Sequence, residues 1–326
     1  MKEHREKTKL SKWLEESLSQ HFPNRKELIE LIQTIVDATI PIRGLLEKGI
    51  TSKELHQRME IEEPTNKTLN IYEEQQIHED LLTHSIILKT IQESDINYAF
   101  IASEEAEPVI GNGLLGVTID PVDGSSNVGV NRTVGTIVGI YGEEGIVCAF
   151  YVLYGIFTNL VLCINDKVAE FILDTVPYSL TFYHYIFLEY KSLPDKEEGG
   201  IRCLGGLPNK WSQRSKSYEQ LLISKGFKDR YSGSFVGDFH AILKYGGVYS
   251  YFPSPKGKIR LYYEWLPLAF IVKTLEGNFL IINEAKQGDS VEFFKDVIPL
   301  TKQNVEKIHA TVCGGLLGSN RAVNWY

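Results

Sequence analysis

Residues 116–131 read GVTIDPVDGSSNVGVN. An apolar run ends in two aspartates three positions apart, Asp120 and Asp123, and a small-residue turn of Gly124, Ser125, Ser126 and Asn127 follows. Two carboxylates at the end of one strand can face one cleft, where they repel each other. A hard divalent cation between them removes that repulsion. Mg²⁺ suits the place because it takes oxygen ligands and keeps waters that a phosphate can displace. Gly124 permits tight backbone geometry, and the amides of Gly124, Ser125 and Ser126 can form an anion-binding nest. Taken alone, DPVDGSS is also the pattern of an Asp-rich turn capped by its own side chains.

The rest of the chain sets the bounds. Its 326 residues suffice for one large domain or two packed halves, and 43% hydrophobic residues suffice for a sizeable core. A formal net charge of −8 argues against nucleic acid as a partner. Cys148, Cys163, Cys203 and Cys313 lack the spacing of a zinc site or a disulfide framework, which points to a reducing, cytoplasmic setting. The charged start, MKEHREKTKLSKW, has no apolar signal region. Gly145 to Ile164 is uncharged and long enough to cross a bilayer. Its β-branched and aromatic content favours two buried strands broken near Tyr154-Gly155, so no membrane is expected.

Asn24 and Glu27 have the spacing of a capping box opening a helix, which Pro41 is expected to kink or divide. A second helical pattern covers YEEQQIHEDLLTHSIILKTIQES and holds Asp80. YAFIA then leads to SEE, with Glu104 and Glu105 at a strand end. Strand patterns fill the middle of the chain, and IVCAFYVLYGIFTNLVLCIN reads as central sheet because both faces are apolar. PDKEEGG, 194–200, is the expected exposed connection between an N-terminal α/β half, 1–200, and a C-terminal one, 201–326. The last long apolar helix, WLPLAFIVKTLEG, is expected to start after Glu264 and to end at Gly277.

Most acidic positions carry little meaning singly. Glu104-Glu105 alone reads as a solvated loop, Asp80 as a helix edge, and Glu264 as an acid at a helix start. KGKIRLYYE says more. On a strand, Lys258 and Arg260 share one face, which suits a phosphorylated ligand and equally a solvated edge strand. Tyr231 and Tyr251 offer hydroxyl donors.

The order of these pieces is distinctive: a helix Asp, SEE, DPVDGSSN, RYSGSFVGD, YGG and KGKIRLYYE. From about residue 70 to 275 it resembles the fructose-1,6-bisphosphatase family, within the metal-dependent, lithium-sensitive sugar and inositol phosphatases. The patterns themselves support a mixed α/β fold; the resemblance implies a layered α-β-α-β-α sandwich with a metal-binding first half and a substrate-binding second half. It implies Mg²⁺, two or three per site with Mn²⁺ possible, held by Glu104, Glu105, Asp120, Asp123, Glu264 and the Val122 carbonyl. Asp80 and Glu105 would assist the attacking water. Gly124, Ser125 and Ser126 would contact the departing phosphate, and Tyr231, Tyr251 and Lys258 the distant one. Arg260 matches a basic substrate-site residue, and Arg230 an arginine that reaches a neighbouring subunit's site in a homodimer or homotetramer.

The implied activity is hydrolysis of the 1-phosphate of fructose 1,6-bisphosphate. Sedoheptulose-1,7-bisphosphatases and broader sugar or inositol phosphatases share nearly all of the pattern, and a non-catalytic sugar-phosphate sensor of the same fold is the alternative of another class. The chain also departs from the family. Leu114-Leu115 stand where a Lys-Tyr pair helps bind AMP, and FPNRKELIEL lacks the Gly-Thr-rich AMP loop, so no AMP inhibition is expected at that place. Gly205 and Asn209 both fall near the position of a family asparagine on the second phosphate.

Overall fold

The computed structural model describes residues 8–47, 78–175, 183–252, 259–283, 290–292 and 298–326. Lys258 and the start of the second helical pattern lie outside the described residues. Helices α1 (Leu10–Ser17), α2 (Arg25–Glu47) and α3 (His78–Glu93) come first. Eight strands follow: β1 (Phe100–Ser103), β2 (Ala106–Ile110), β3 (Gly116–Asp123), β4 (Val134–Gly142), β5 (Gly145–Tyr154), β6 (Thr158–Ile164), β7 (Lys167–Thr175) and β8 (Tyr183–Tyr190). They form one sheet in the order β2-β1-β3-β4-β5-β6-β7-β8, with β1 and β3 parallel and the other neighbours antiparallel.

The exposed 195–199 segment leads into a second sheet. Its strands are β9 (Ile201–Gly205), β10 (Lys228–Asp229), β11 (Gly247–Tyr251), β12 (Ile259–Arg260), β13 (Asn278–Asn283), β14 (Ser290–Glu292) and β15 (Val312–Gly318). Helix α4 (Gln213–Ser224) flanks this sheet, and α5 (Phe235–Tyr245) and α6 (Leu266–Thr274) lie between the sheets.

The apolar pattern explains the layering. In a strand, alternate side chains face opposite ways. In β5, Cys148, Phe150 and Val152 enter a core shared with α1, α2 and α3. Ala149, Tyr151 and Leu153 enter another core, shared with α5, α6 and the second sheet. Leu204, Val248, Leu280 and Leu316 then pack the outer face of the second sheet against Tyr218 and Leu222 of α4. The result is the expected α-β-α-β-α sandwich. The uncharged stretch 145–164 forms β5 and β6, paired antiparallel and broken at Gly155–Phe157. Among the described residues, no helix is long and apolar enough to cross a membrane.

Two local expectations fail, and of the kink or break expected at Pro41 the break does not occur. Asn24 takes φ 52°, the left-handed region, whereas an N-cap residue is extended; it serves α2 through its carbonyl, which accepts from the Leu28 amide at 2.8 Å. Pro41 lies inside α2 without dividing it. The end of α6 turns at Glu276, φ 58°, and not at Gly277. The Glu276 amide donates to the Lys273 carbonyl and the Gly277 amide to the Val272 carbonyl, the bond pattern of a Schellman motif. Gly277 is needed for space, because a Cβ there would stand 2.7 Å from the Gly318 carbonyl oxygen.

Candidate active site

A β-bulge decides where the two aspartates go. On a regular strand, residues three apart face opposite sides. Asp120 pairs with Ile137 but Asp123 with Gly135, so β3 carries one extra residue between them. The extra residue brings both carboxylates to one cavity. Pro121 suits the bulge because it has no amide to offer the ladder, and its carbonyl accepts from Thr136 Oγ1 at 2.8 Å. Gly124 then turns the chain at φ 76° into a short 3₁₀ helix, Ser125–Val130. A Cβ on Gly124 would meet the Ser234 Cα at 2.8 Å. The first amides of such a turn have no acceptor within it.

The cavity, about 390 Å³, brings together nearly every residue named from the sequence: Asp80, Glu104, Glu105, Asp120, Val122, Asp123, Gly124, Ser125, Ser126, Tyr231, Tyr251, Arg260 and Glu264. They arrive from several separate elements. Asp80 comes from α3, and Glu104 and Glu105 from the turn after β1. Glu264 stands just ahead of α6, as expected, but within a π-turn, Leu261–Trp265, that runs directly into that helix. Arg230 lines a different cavity of its own chain.

Three of the carboxylates form a tight group. One oxygen each from Glu104, Asp120 and Glu264 lies within 4.8 Å of the others, and all three residues are buried. Burial drives the Glu104 and Asp120 carboxyls well above the usual carboxylate range, and repulsion between the neighbouring acids adds to it. Arg260 opposes this. Its Nη2 lies 2.9 Å from Glu104 Oε1, and its amide donates to Glu264 Oε2 at 2.6 Å. Such a hard, all-oxygen, partly self-repelling donor set fits a divalent cation such as Mg²⁺.

Asp123 stands apart from that group. Its Oδ2 accepts from Ser234 Oγ and from the Val236 amide, both at 2.8 Å. It thereby ties β3 to the N-terminus of α5, where a helix favours negative charge. These bonds oppose burial, which still pushes Asp123 up to about 6. Ser234 also caps α5, accepting from the Gly237 amide at 3.1 Å. Behind the cavity, Ser103 Oγ accepts from the Glu105 amide at 3.3 Å and lies 2.8 Å from His84 Nδ1.

Sequence reading passed over Ser234, Gly233, Phe235, Tyr249 and Ile259. The last four line the cavity, with Phe235 and Tyr249 stacked at 3.8 Å between ring centroids. The available signal was SGSFVGD, a serine directly before an apolar helix, which reads as an N-cap.

Comparison with known proteins agrees with this geometry. Residues 64–183 match the family model described as fructose-1-6-bisphosphatase, N-terminal domain, and residues 196–314 match the C-terminal domain model. The chain belongs to the fructose-1,6-bisphosphatase family. It is 37% identical over 227 residues to a fructose-1,6-bisphosphatase class 1 of Geotalea uraniireducens, covering 64% of this chain and 70% of that protein. It is 35% identical over 266 residues to a class 1 protein of Methanospirillum hungatei, covering 77% and 78%. Among solved structures, Leishmania major fructose-1,6-bisphosphatase in holo form superposes with a TM-score of 0.76 at 23% identity, covering 98% of this chain and 97% of the other, which shows a shared fold. Proteins of this family are metal-dependent phosphatases.

Proposed function

We propose that this protein hydrolyses the 1-phosphate of fructose 1,6-bisphosphate, releasing fructose 6-phosphate and phosphate, with Mg²⁺ as the cation. The observation that carries the reading is the buried oxygen group of Glu104, Asp120 and Glu264 beside the Gly124–Ser126 turn. The class 1 fructose-1,6-bisphosphatases among its relatives support the substrate.

Glu104, Asp120 and Glu264 would hold the cations, with Asp123, Glu105 and the Val122 carbonyl completing the set. Bound divalent cations supply charge neutralisation and Lewis acidity against a phosphate dianion. The chain's own residues do the rest. Ser125 and the turn amides hold the transferred phosphate, and Glu105 or Asp80 accepts the proton of the attacking water. Tyr231 and Tyr251, with Lys258, hold the distant phosphate and so select a bisphosphate. Arg260 supplies a fixed positive charge between Glu104 and the substrate. The main contribution is positioning and electrostatic stabilisation of the displacement, with no covalent nucleophile.

We read the assembly as a homodimer or homotetramer in which Arg230 reaches a neighbouring site. Four free, buried cysteines support a reducing, cytoplasmic setting. The test is phosphate release from fructose 1,6-bisphosphate, from sedoheptulose 1,7-bisphosphate and from a sugar monophosphate, with Mg²⁺ and with chelator. Mg²⁺-dependent turnover fastest on fructose 1,6-bisphosphate is expected. Turnover that survives chelation, or none on any bisphosphate, overturns the reading.

A further inference from the structure

The loop that carries Glu104 and Glu105 is held from outside itself. Ser103 pairs with Ala106 across the β1–β2 hairpin, so the two glutamates are the whole of a two-residue loop. Such loops favour turns with positive φ, which Asn, Asp and Gly supply. Neither glutamate takes a positive φ here. The two adjacent carboxylates also repel each other, and that repulsion is among the causes that raise Glu104. Two ties hold the loop nonetheless. The Glu104 amide donates to the Ile119 carbonyl of β3 at 3.1 Å. Ser103 Oγ accepts from the Glu105 amide at 3.3 Å, the bond of a serine turn.

That serine has a partner of its own. Ser103 is 3% exposed, and a buried hydroxyl needs an acceptor for its hydrogen. Among the described residues, the other group bonded to Ser103 Oγ is His84 Nδ1, at 2.8 Å. The hydroxyl therefore donates to a bare Nδ1, which places the ring's proton on Nε2. Burial pushes His84 below the ordinary histidine range, which keeps the ring uncharged at neutral pH. His84 stands one turn after Asp80 on α3, and residues four apart share a helix face. One face of α3 thereby places Asp80 in the carboxylate cavity and His84 behind the loop that carries Glu105.

We propose that His84 is a positioning residue for Glu105: it fixes the Ser103 hydroxyl, which fixes the Glu105 amide and with it the direction from which the carboxylate meets the attacking water. It acts through Ser103 and not on the substrate. The inference rests on the proposed hydrolysis, in which Glu105 or Asp80 accepts the proton of that water. A misplacement of about 1 Å in such a group can cost about a hundredfold in rate.

The test compares His84→Phe, which keeps a ring without the acceptor, with His84→Asn, whose side-chain oxygen reaches the place of Nδ1. With Mg²⁺ and fructose 1,6-bisphosphate, His84→Phe should lower kcat about tenfold or more, with KM little changed. His84→Asn should recover most of that loss, and Ser103→Ala should match His84→Phe. Combining Ser103→Ala with His84→Phe should be no worse than either alone, because both remove the same link. A merely structural histidine would lower the melting temperature without separating kcat from KM and without rescue by His84→Asn. NMR of the histidine ring nitrogens in the metal-free protein needs no turnover. It should show Nδ1 bare and Nε2 protonated in wild type, with the Nδ1 signal shifted in Ser103→Ala. An inactive wild type is a failure of the hydrolysis reading and takes the role of His84 with it. In an active wild type, a proton on Nδ1, an unchanged kcat in His84→Phe, or equal losses in His84→Asn and His84→Phe overturn the role of His84 alone.

Discussion

Ser234 donates its hydroxyl to Asp123 across 2.8 Å, joining the bulged end of β3 to the first turn of α5. The Val236 amide reaches the same carboxylate oxygen, so one aspartate is gripped by a helix N-terminus that lies more than a hundred residues along the chain. Partners that orient a metal-site carboxylate without touching the ion usually matter about 10–100-fold in metal affinity. Ser234→Ala is therefore expected to raise the Mg²⁺ concentration for half-maximal activity about tenfold, with a smaller change in the KM for substrate. Activity titrated against Mg²⁺ at saturating substrate checks this; an unchanged midpoint would show that Asp123 needs no such support.

The turn itself gives a sharper test. Gly124 combines a positive φ with backbone contact to Ser234, so Gly124→Ala meets both strain and a clash. A loss of about 1–3 kcal/mol is expected, with activity falling at least in parallel. Gly129, in the same short helix, has open space where a Cβ would go, and Gly129→Ala should be near neutral. Urea unfolding of the two variants compares them directly.

Arg260 is the only cation in direct contact with the three-carboxylate group among the described residues. Its replacement leaves buried acids without their counter-charge, a change that typically costs about 3–5 kcal/mol. Arg260→Met should destabilise the metal-free protein by about that amount, and added Mg²⁺ should recover part of the loss. Thermal melts with EDTA and with Mg²⁺ read both effects. A variant as stable as wild type in EDTA would contradict the role assigned to the ion pair.

Asp238 supplies a pH prediction. It is buried, accepts twice from the Ser232 amide at 3.0 and 3.1 Å, and is pushed up to about 7 chiefly by burial. A carboxyl whose folded value exceeds its unfolded one binds its proton more tightly when folded. Stability from this group is then fully present below about pH 4 and is lost as the pH rises towards 7. Asp238→Asn cannot titrate, so its stability should fall less between pH 4 and pH 8 than that of wild type. Urea midpoints across that range in EDTA test the sign; an identical slope in both proteins would remove Asp238 as the cause.

Much of this was legible in the sequence, and for physical reasons. Strands buried on both faces announce themselves as unbroken apolar runs, so β5 and β6 could be read directly. The site residues were readable only as an ordered set, because Glu104, Asp80 and Glu264 are each ordinary when taken singly. What stayed hidden depends on tertiary partners. The bulge after Asp120 is a matter of register with β4, and the grip of Ser234 on Asp123 spans two distant segments. Asn24 failed as a cap because a local spacing rule does not specify φ. The π-turn around Glu264 likewise has no local signature in LYYEW.

The account stands or falls on whether divalent cations bind where the three buried carboxylates converge. Anomalous diffraction from crystals grown with Mn²⁺ and fructose 6-phosphate tests this most directly. The account predicts an anomalous peak within bonding distance of oxygens from Glu104, Asp120 and Glu264, with the sugar phosphate towards Tyr231 and Tyr251. A map with no peak in that hollow, and with Glu104 still paired to Arg260 at saturating Mn²⁺, would contradict it.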